Sequence, residues 1–187
     1  MTISAICKSN AKTKAVTAAL AITAAVLMPQ LFHAVGAVSG LGAAPGRAFL
    51  PMHIPVLLAG FLAGPVVGLA AGIISPLVSF AISGMPAASL LPVMMLELAA
   101  YGAAAGLLSR VKLPGVVKLL AAQLCGRAVY AAAVLAAVYL FGSVSLTPAQ
   151  ILPAFAAGIP GLLLQLAVIP LMLYRLDGVK VGKRHDS

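Results

Sequence analysis

The sequence predicts an all-α integral membrane protein, a bundle of six transmembrane helices with both termini in the cytoplasm. Three observations carry that reading. Hydrophobic residues make up 63% of the chain and charged residues only 8%, whereas a soluble domain needs roughly a quarter of its residues charged to cover its core. Mean hydropathy is +1.14, so lipid rather than water is the solvent. Ten of the twelve Lys and Arg residues fall in segments that share one side of the membrane if six helices alternate.

The helices follow from apolar runs of about 20 residues, the length that crosses a hydrocarbon core of roughly 30 Å. The first spans Lys14 to Gly36. The second spans Pro51 to Ala63, is short, and closes at Gly64-Pro65. The third covers Pro65 to Ile82, the fourth Leu90 to Leu108, the fifth Gly115 to Phe141 and the sixth Pro148 to Tyr174. Gly64-Pro65, Gly84-Met85-Pro86 and Leu113-Pro114-Gly115 are the breaks, because Pro cannot donate to the preceding turn and Gly tolerates positive φ. Residues 1–13 form an N-terminal tail, 14–175 the membrane domain and 176–187 a C-terminal tail, both tails cytoplasmic.

Basic residues set the orientation, since cytoplasmic loops hold their excess. Lys8, Lys12 and Lys14 lie in the N-terminal segment; Arg110, Lys112 and Lys118 lie between the fourth and fifth helices; Arg175, Lys180, Lys183 and Arg184 lie at the C-terminus. The opposite face keeps Arg47 alone, in a Gly-rich loop from Gly40 to Pro51. A cleaved signal peptide over Lys8 to Ala37 is the rival reading. Its apolar stretch is longer than a usual signal core, and its removal would leave five helices with termini on opposite sides. The +9 charge is spread between apolar runs and does not form the stripe that nucleic acid requires. Cys7 and Cys125 form neither a disulfide framework nor a metal cluster.

Glu97 and Arg127 stand inside apolar helices, where ionisable groups are costly and face a bundle interior or a water-filled cavity. They can pair with each other, locking two helices, or meet a polar ligand. Residues three or four apart share a helical face, which groups Met94, Glu97 and Tyr101 on the fourth helix and Gln123, Arg127 and Tyr130 on the fifth. Gln165 sits at mid-depth on the sixth, and Ser75 and Ser79 share a face of the third. Such groups serve a ligand pocket or interhelical hydrogen bonding. His53 and His33 are expected at the membrane mouth. Ala11, Ala15 and Ala19 repeat at spacing four, as do Ala21 and Ala25, a pattern that lets helices approach closely. No phosphate-cradling Gly-Lys-Ser/Thr loop, paired-carboxylate motif, metal motif or Ser/His/Asp set is present. The sequence therefore points to no enzyme, cofactor or metal, and a pocket without an engine suggests a subunit.

These residues carry a resemblance. The stretch Phe49-Leu50-Pro51-Met52-His53-Ile54-Pro55-Val56-Leu57-Leu58-Ala59-Gly60-Phe61-Leu62-Ala63-Gly64-Pro65 is similar to the segment joining helices 2 and 3 in the substrate-binding S-components of energy-coupling factor (ECF) vitamin transporters. Leu77 to Pro86, Met95 to Gly106 and Gly126-Arg127 are similar to further pieces, so that nearly the whole chain is covered. The resemblance implies a bacterial plasma-membrane protein that binds a vitamin or precursor near the outer face. It implies docking through helix 1 alanines, here Ala15, Ala19, Ala21 and Ala25, onto a transmembrane coupling subunit driven by two cytosolic ATPases. The Gly40 to Pro51 loop with Arg47 would be the lid, and His53, Glu97, Tyr101, Arg127 and Gln165 would meet the ligand. Two arginines favour a carboxylate, held in bidentate geometry. Pantothenate comes first on that basis, followed by niacin or a thiamine precursor; if Glu97 neutralises Arg127, a neutral ligand becomes as suitable. A stand-alone secondary transporter of a small polar metabolite is the alternative.

Overall fold

The computed structural model describes residues 11–42 and 44–182, with side chains through residue 174 apart from those of 33, 45 and 47. Most of the tails assigned to residues 1–13 and 176–187 thus lies outside the described side chains. The elements are α1 (Ala11–Val38), α2 (Ala44–Phe49), α3 (His53–Ala63), α4 (Pro65–Ser83), α5 (Leu91–Leu108), α6 (Gly115–Tyr139), a 3-10 turn at Pro148–Gln150, α7 (Ile151–Ala157) and α8 (Ile159–Gly182). No strand occurs among the described residues.

Gly64 makes the sharpest turn. Its φ of 96° belongs to a region that favours Gly, and Pro65 follows at the first helical position, where its missing N–H costs nothing. Helices α3 and α4 therefore fold back on each other, and α5 lies against both. A side chain on Gly68 or Gly102 would collide with the backbone of the other, one on Gly72 with Leu98, and one on Gly106 with Pro65. Rising numbers on α4 meet falling numbers on α5, so the pair is antiparallel. Small residues of this kind let helix backbones approach closely within a membrane.

Helix α1 runs parallel to α4. Ala21 and Ala25 pack in one buried cluster with Val56, Ala59, Ala71 and Leu98, and Gln30 donates to Ser83 at 3.0 Å. Leu119, Ile169 and Leu173 share a second cluster with Phe61 and Tyr101, which fixes α8 as descending beside the start of α6. These registers bring Lys12, Lys14, Arg110, Lys112 and Lys118 to one end, called here the basic end. Lys118 is buried rather than in the connecting loop: it lies in the first turn of α6, and its Nζ donates to the Ser109 carbonyl at 3.3 Å.

Two expected spans differ from a simple crossing. Four helices, α1, α4, α5 and α6, are long and apolar enough to cross a membrane, and α7 with α8 makes a fifth candidate if that bent pair is one span. Helix α3 has 11 residues, about 16 Å at 1.5 Å per residue, and reaches only from mid-bundle to the basic end. The sixth expected helix is broken at Gly158 by a bend of 47°. Pro160 supplies the cause, because it lacks an N–H for the Ala156 carbonyl and disfavours helical backbone at Ile159. The expected Gly40 to Pro51 loop is itself partly helical: α2 rests on α8, with Ala48 and Phe49 against Gly161.

Candidate functional site: a buried ion network beneath a cavity

A cavity of about 630 Å³ opens at the end of the bundle opposite the basic residues. Three irregular stretches surround it: the α2–α3 connector, the Met85–Leu90 region and the Ser145–Gln150 turn. Non-helical backbone at depth is tolerated where it lines a cavity. Leu50, in the first of these stretches, has a φ of 47°, an uncommon conformation for a residue with a Cβ. It carries the chain from α2 down into the bundle, so that α3 starts deep.

That descent corrects one expectation. His53 is not at the membrane mouth but 2% exposed, level with the middle of α5. Its Nε2 lies 3.7 Å from Glu97 Oε1, and its ring meets Tyr101 edge-on at 4.9 Å. From the other side Arg127 Nη1 donates to the same Glu97 oxygen at 3.1 Å. Of the two readings open for Glu97 and Arg127, the structure takes the pair. Both side chains are largely enclosed, at 4% and 11% exposure, so solvent screens the pair only weakly.

Arg127 is held on two further sides. Its guanidinium lies over the Phe155 ring at 5.2 Å, a cation–π placement, and Phe155 packs on Tyr130 at 5.9 Å. Its Nη2 occupies the space that a side chain at residue 158 would fill. The break between α7 and α8 is thus also the seat of the guanidinium.

His53, Glu97 and Arg127 line the cavity together with Tyr130, Met94 and Ser79. Tyr101 and Gln165 do not. Tyr101 is fully buried against Gly126, behind His53. Gln165 accepts from Gln123 Nε2 at 3.1 Å, an interhelical bond between α8 and α6. Ser75 donates to the Ala71 carbonyl of its own helix at 2.6 Å. The side chains of Arg47 and His33 lie outside the described residues, although α2 does carry Arg47 at the rim.

Gln150 is one lining residue that sequence reading missed, with Ser89 and Ser145. Thr147 and Gln150 form a capping box, whose Ser/Thr-x-x-Glu/Gln pattern was readable as Thr147-Pro148-Ala149-Gln150. The Gln150 Oε1 accepts from the Thr147 N–H at 3.3 Å, while its amide also faces the Tyr130 hydroxyl at the cavity wall. Both nitrogens of His53, Arg127 Nε and Nη2, and Gln165 Nε2 are buried without a hydrogen-bond partner within the chain. A buried polar group left unpaired costs about 1–3 kcal/mol. Their concentration at one level marks the region as built for more than packing.

Four alanines on α1 were expected to form one docking face. Ala15 and Ala19 are exposed, but Ala21 and Ala25 point into the bundle. Helical geometry is the reason, since residues two apart, such as Ala19 and Ala21, stand about 200° apart around the axis.

A family model for the substrate-specific component of ECF transporters matches residues 4–173. The chain belongs to that family. It is therefore a substrate-binding component of a membrane transport system, associating with the subunits of an ECF module, and its task is binding and passage rather than catalysis. No significant match is found among curated proteins or solved structures.

Proposed function

We propose that this S-component captures a B vitamin or vitamin precursor at the cavity and delivers it across the bacterial plasma membrane. The observation that carries this reading is the cavity itself, whose floor is the His53–Glu97–Arg127 network. A pocket of 300–1,000 Å³ with a few converging polar groups suits a small molecule. In this reading the chain crosses the membrane as six segments. The α2–α3 unit and the bent α7–α8 pair each serve as one, and the basic end faces the cytoplasm under the positive-inside rule. The cavity then opens outward, and α2 with Arg47 forms its rim. A transmembrane coupling subunit and two cytosolic ATPases provide the drive, with Ala15 and Ala19 on the exposed side of α1 as the docking contact.

Pantothenate heads the candidates when Arg127 and Arg47 are both open to a carboxylate. With Glu97 on Arg127 that ground is gone, and pantothenate, niacin and a thiamine precursor stand level. The experiment is mass spectrometry of the molecule that co-purifies with the chain, followed by calorimetric titration of the emptied protein. One vitamin-sized molecule per chain is the expected result. A chain that purifies without ligand and takes up none from a vitamin panel overturns the proposal.

A further inference from the structure

We propose that the site selects a ligand without net charge, a ring compound bearing hydrogen-bond acceptors, because the protein neutralises its own arginine. The inference rests on the binding role just assigned to the cavity. Among the described side chains lining it, Glu97 is the one acid and Arg127 the one permanent cation, with His53 beside the same carboxylate, and Glu97 and Arg127 meet at 3.1 Å. Their charges cancel before any ligand arrives.

A carboxylate has no second place on Arg127. The side-on fork of a guanidinium, Nε with Nη2, is the edge that grips a carboxylate in parallel hydrogen bonds. Here both atoms are buried without a hydrogen-bond partner, but Nη2 packs on Gly158, with Leu50 against the same glycine, and the guanidinium face lies over Phe155, so that the chain itself covers this edge. An anion that entered would meet the Glu97 carboxylate with no second permanent cation among the described lining side chains to compensate it, and a like charge in a desolvated site is strongly unfavourable.

The wall offers instead what a neutral ring needs. The His53 imidazole, which makes no hydrogen bond within the chain, and the Gln150 amide both line the cavity and can donate to acceptors on a ligand, a neutral imidazole through its one N–H. Met52, Met85 and Met94 with Tyr130 supply polarisable and aromatic surface suited to a ring face. The pair thus acts as a filter against acids, while its rigid geometry keeps His53 in place.

The test uses matched compounds that differ in one charge: nicotinamide against nicotinate, and pantothenol against pantothenate, titrated calorimetrically into the purified chain in detergent. The charge at neutral pH of the co-purified molecule is read alongside. The expected result is an uncharged co-purified molecule and, within any pair that binds, a neutral member tighter by about tenfold or more. Glu97→Gln, which releases the charge of Arg127, should narrow or reverse that order. A charged co-purified molecule, or an acid that binds the unaltered chain as tightly as its neutral partner, overturns the inference and leaves the transport role standing. If nothing co-purifies and no compound binds, the binding role falls, and this inference with it.

Discussion

Removing Arg127 while keeping Glu97 isolates what the buried pair contributes. At a guanidinium-to-carboxylate separation of about 4 Å, the attraction is about 4 kcal/mol at an effective dielectric constant of about 20. Arg127→Met deletes that attraction and strands a carboxylate that is 4% exposed. Breaking one side of a buried pair costs about 3–5 kcal/mol, with only His53, 3.7 Å from the same oxygen, left beside the carboxylate. Glu97→Gln with Arg127→Met removes both charges at nearly constant volume, and its stability should return to within about 1–2 kcal/mol of the unaltered chain. The assay is equilibrium unfolding in mixed micelles, run as a double-mutant cycle on the purified proteins. If Arg127→Met unfolds like the unaltered chain, or if adding Glu97→Gln recovers nothing, the two groups do not compensate each other and the account of the site fails.

Three other outcomes follow from the packing. Gly102→Ala should destabilise by about 1–3 kcal/mol or more, because the added carbon meets the Gly68 backbone, whereas Gly115→Ala meets nothing within 4 Å and should gain up to about 1 kcal/mol; unfolding midpoints compare the two. Gly158→Ala should destabilise by about 1–3 kcal/mol, because the added carbon meets a guanidinium already held by Glu97 and Phe155, and weaken binding of the co-purified ligand by about tenfold, equivalent to 1.4 kcal/mol; unfolding midpoints and calorimetric titration read the two effects. Ala25→Leu should lower stability, its site being 0% exposed, while Ala19→Leu should leave the isolated chain unchanged and reduce its co-elution with the coupling subunit.

The helix ends were legible wherever Gly and Pro interrupt an apolar run. The fourth expected helix, Leu90 to Leu108, is α5 at Leu91–Leu108, and the third, Pro65 to Ile82, is α4 at Pro65–Ser83. Depth was not legible. Hydropathy has no term for how far a segment has already descended when its helix begins, so Pro51 to Ala63 read as a span starting at a surface. The short helix α2 was hidden for a related reason: Gly40, Gly42 and Gly46 dilute the helical signal of a segment that is held by α8 and α1 rather than by its own propensity. The alanine stripe shows the reverse case. Its splitting into two faces was present in the spacing, because a step of two residues cannot stay on one side of a 3.6-residue helix.

Glu97 and Arg127 announced themselves because apolar surroundings make an ionisable residue costly. Their partners did not, since Phe155, Gly158 and Leu50 are ordinary in composition and gain meaning only at their level in the bundle. Yet the interruptions themselves were in the sequence. Leu50-Pro51 and Gly158-Ile159-Pro160 are the points at which the second and sixth segments lose helical backbone, and they meet each other where Leu50 and the Arg127 guanidinium both pack on Gly158. Transport proteins place binding sites where broken helices meet near the middle of the membrane. The physical cause is general: a helix satisfies its own backbone and offers only side chains, whereas a break leaves room and unpaired groups at one depth. When two Pro-marked breaks and two oppositely charged residues from four different helices converge on one level, the bundle has given up packing there. A ligand that completes the hydrogen bonds left open by that sacrifice is what the arrangement requires.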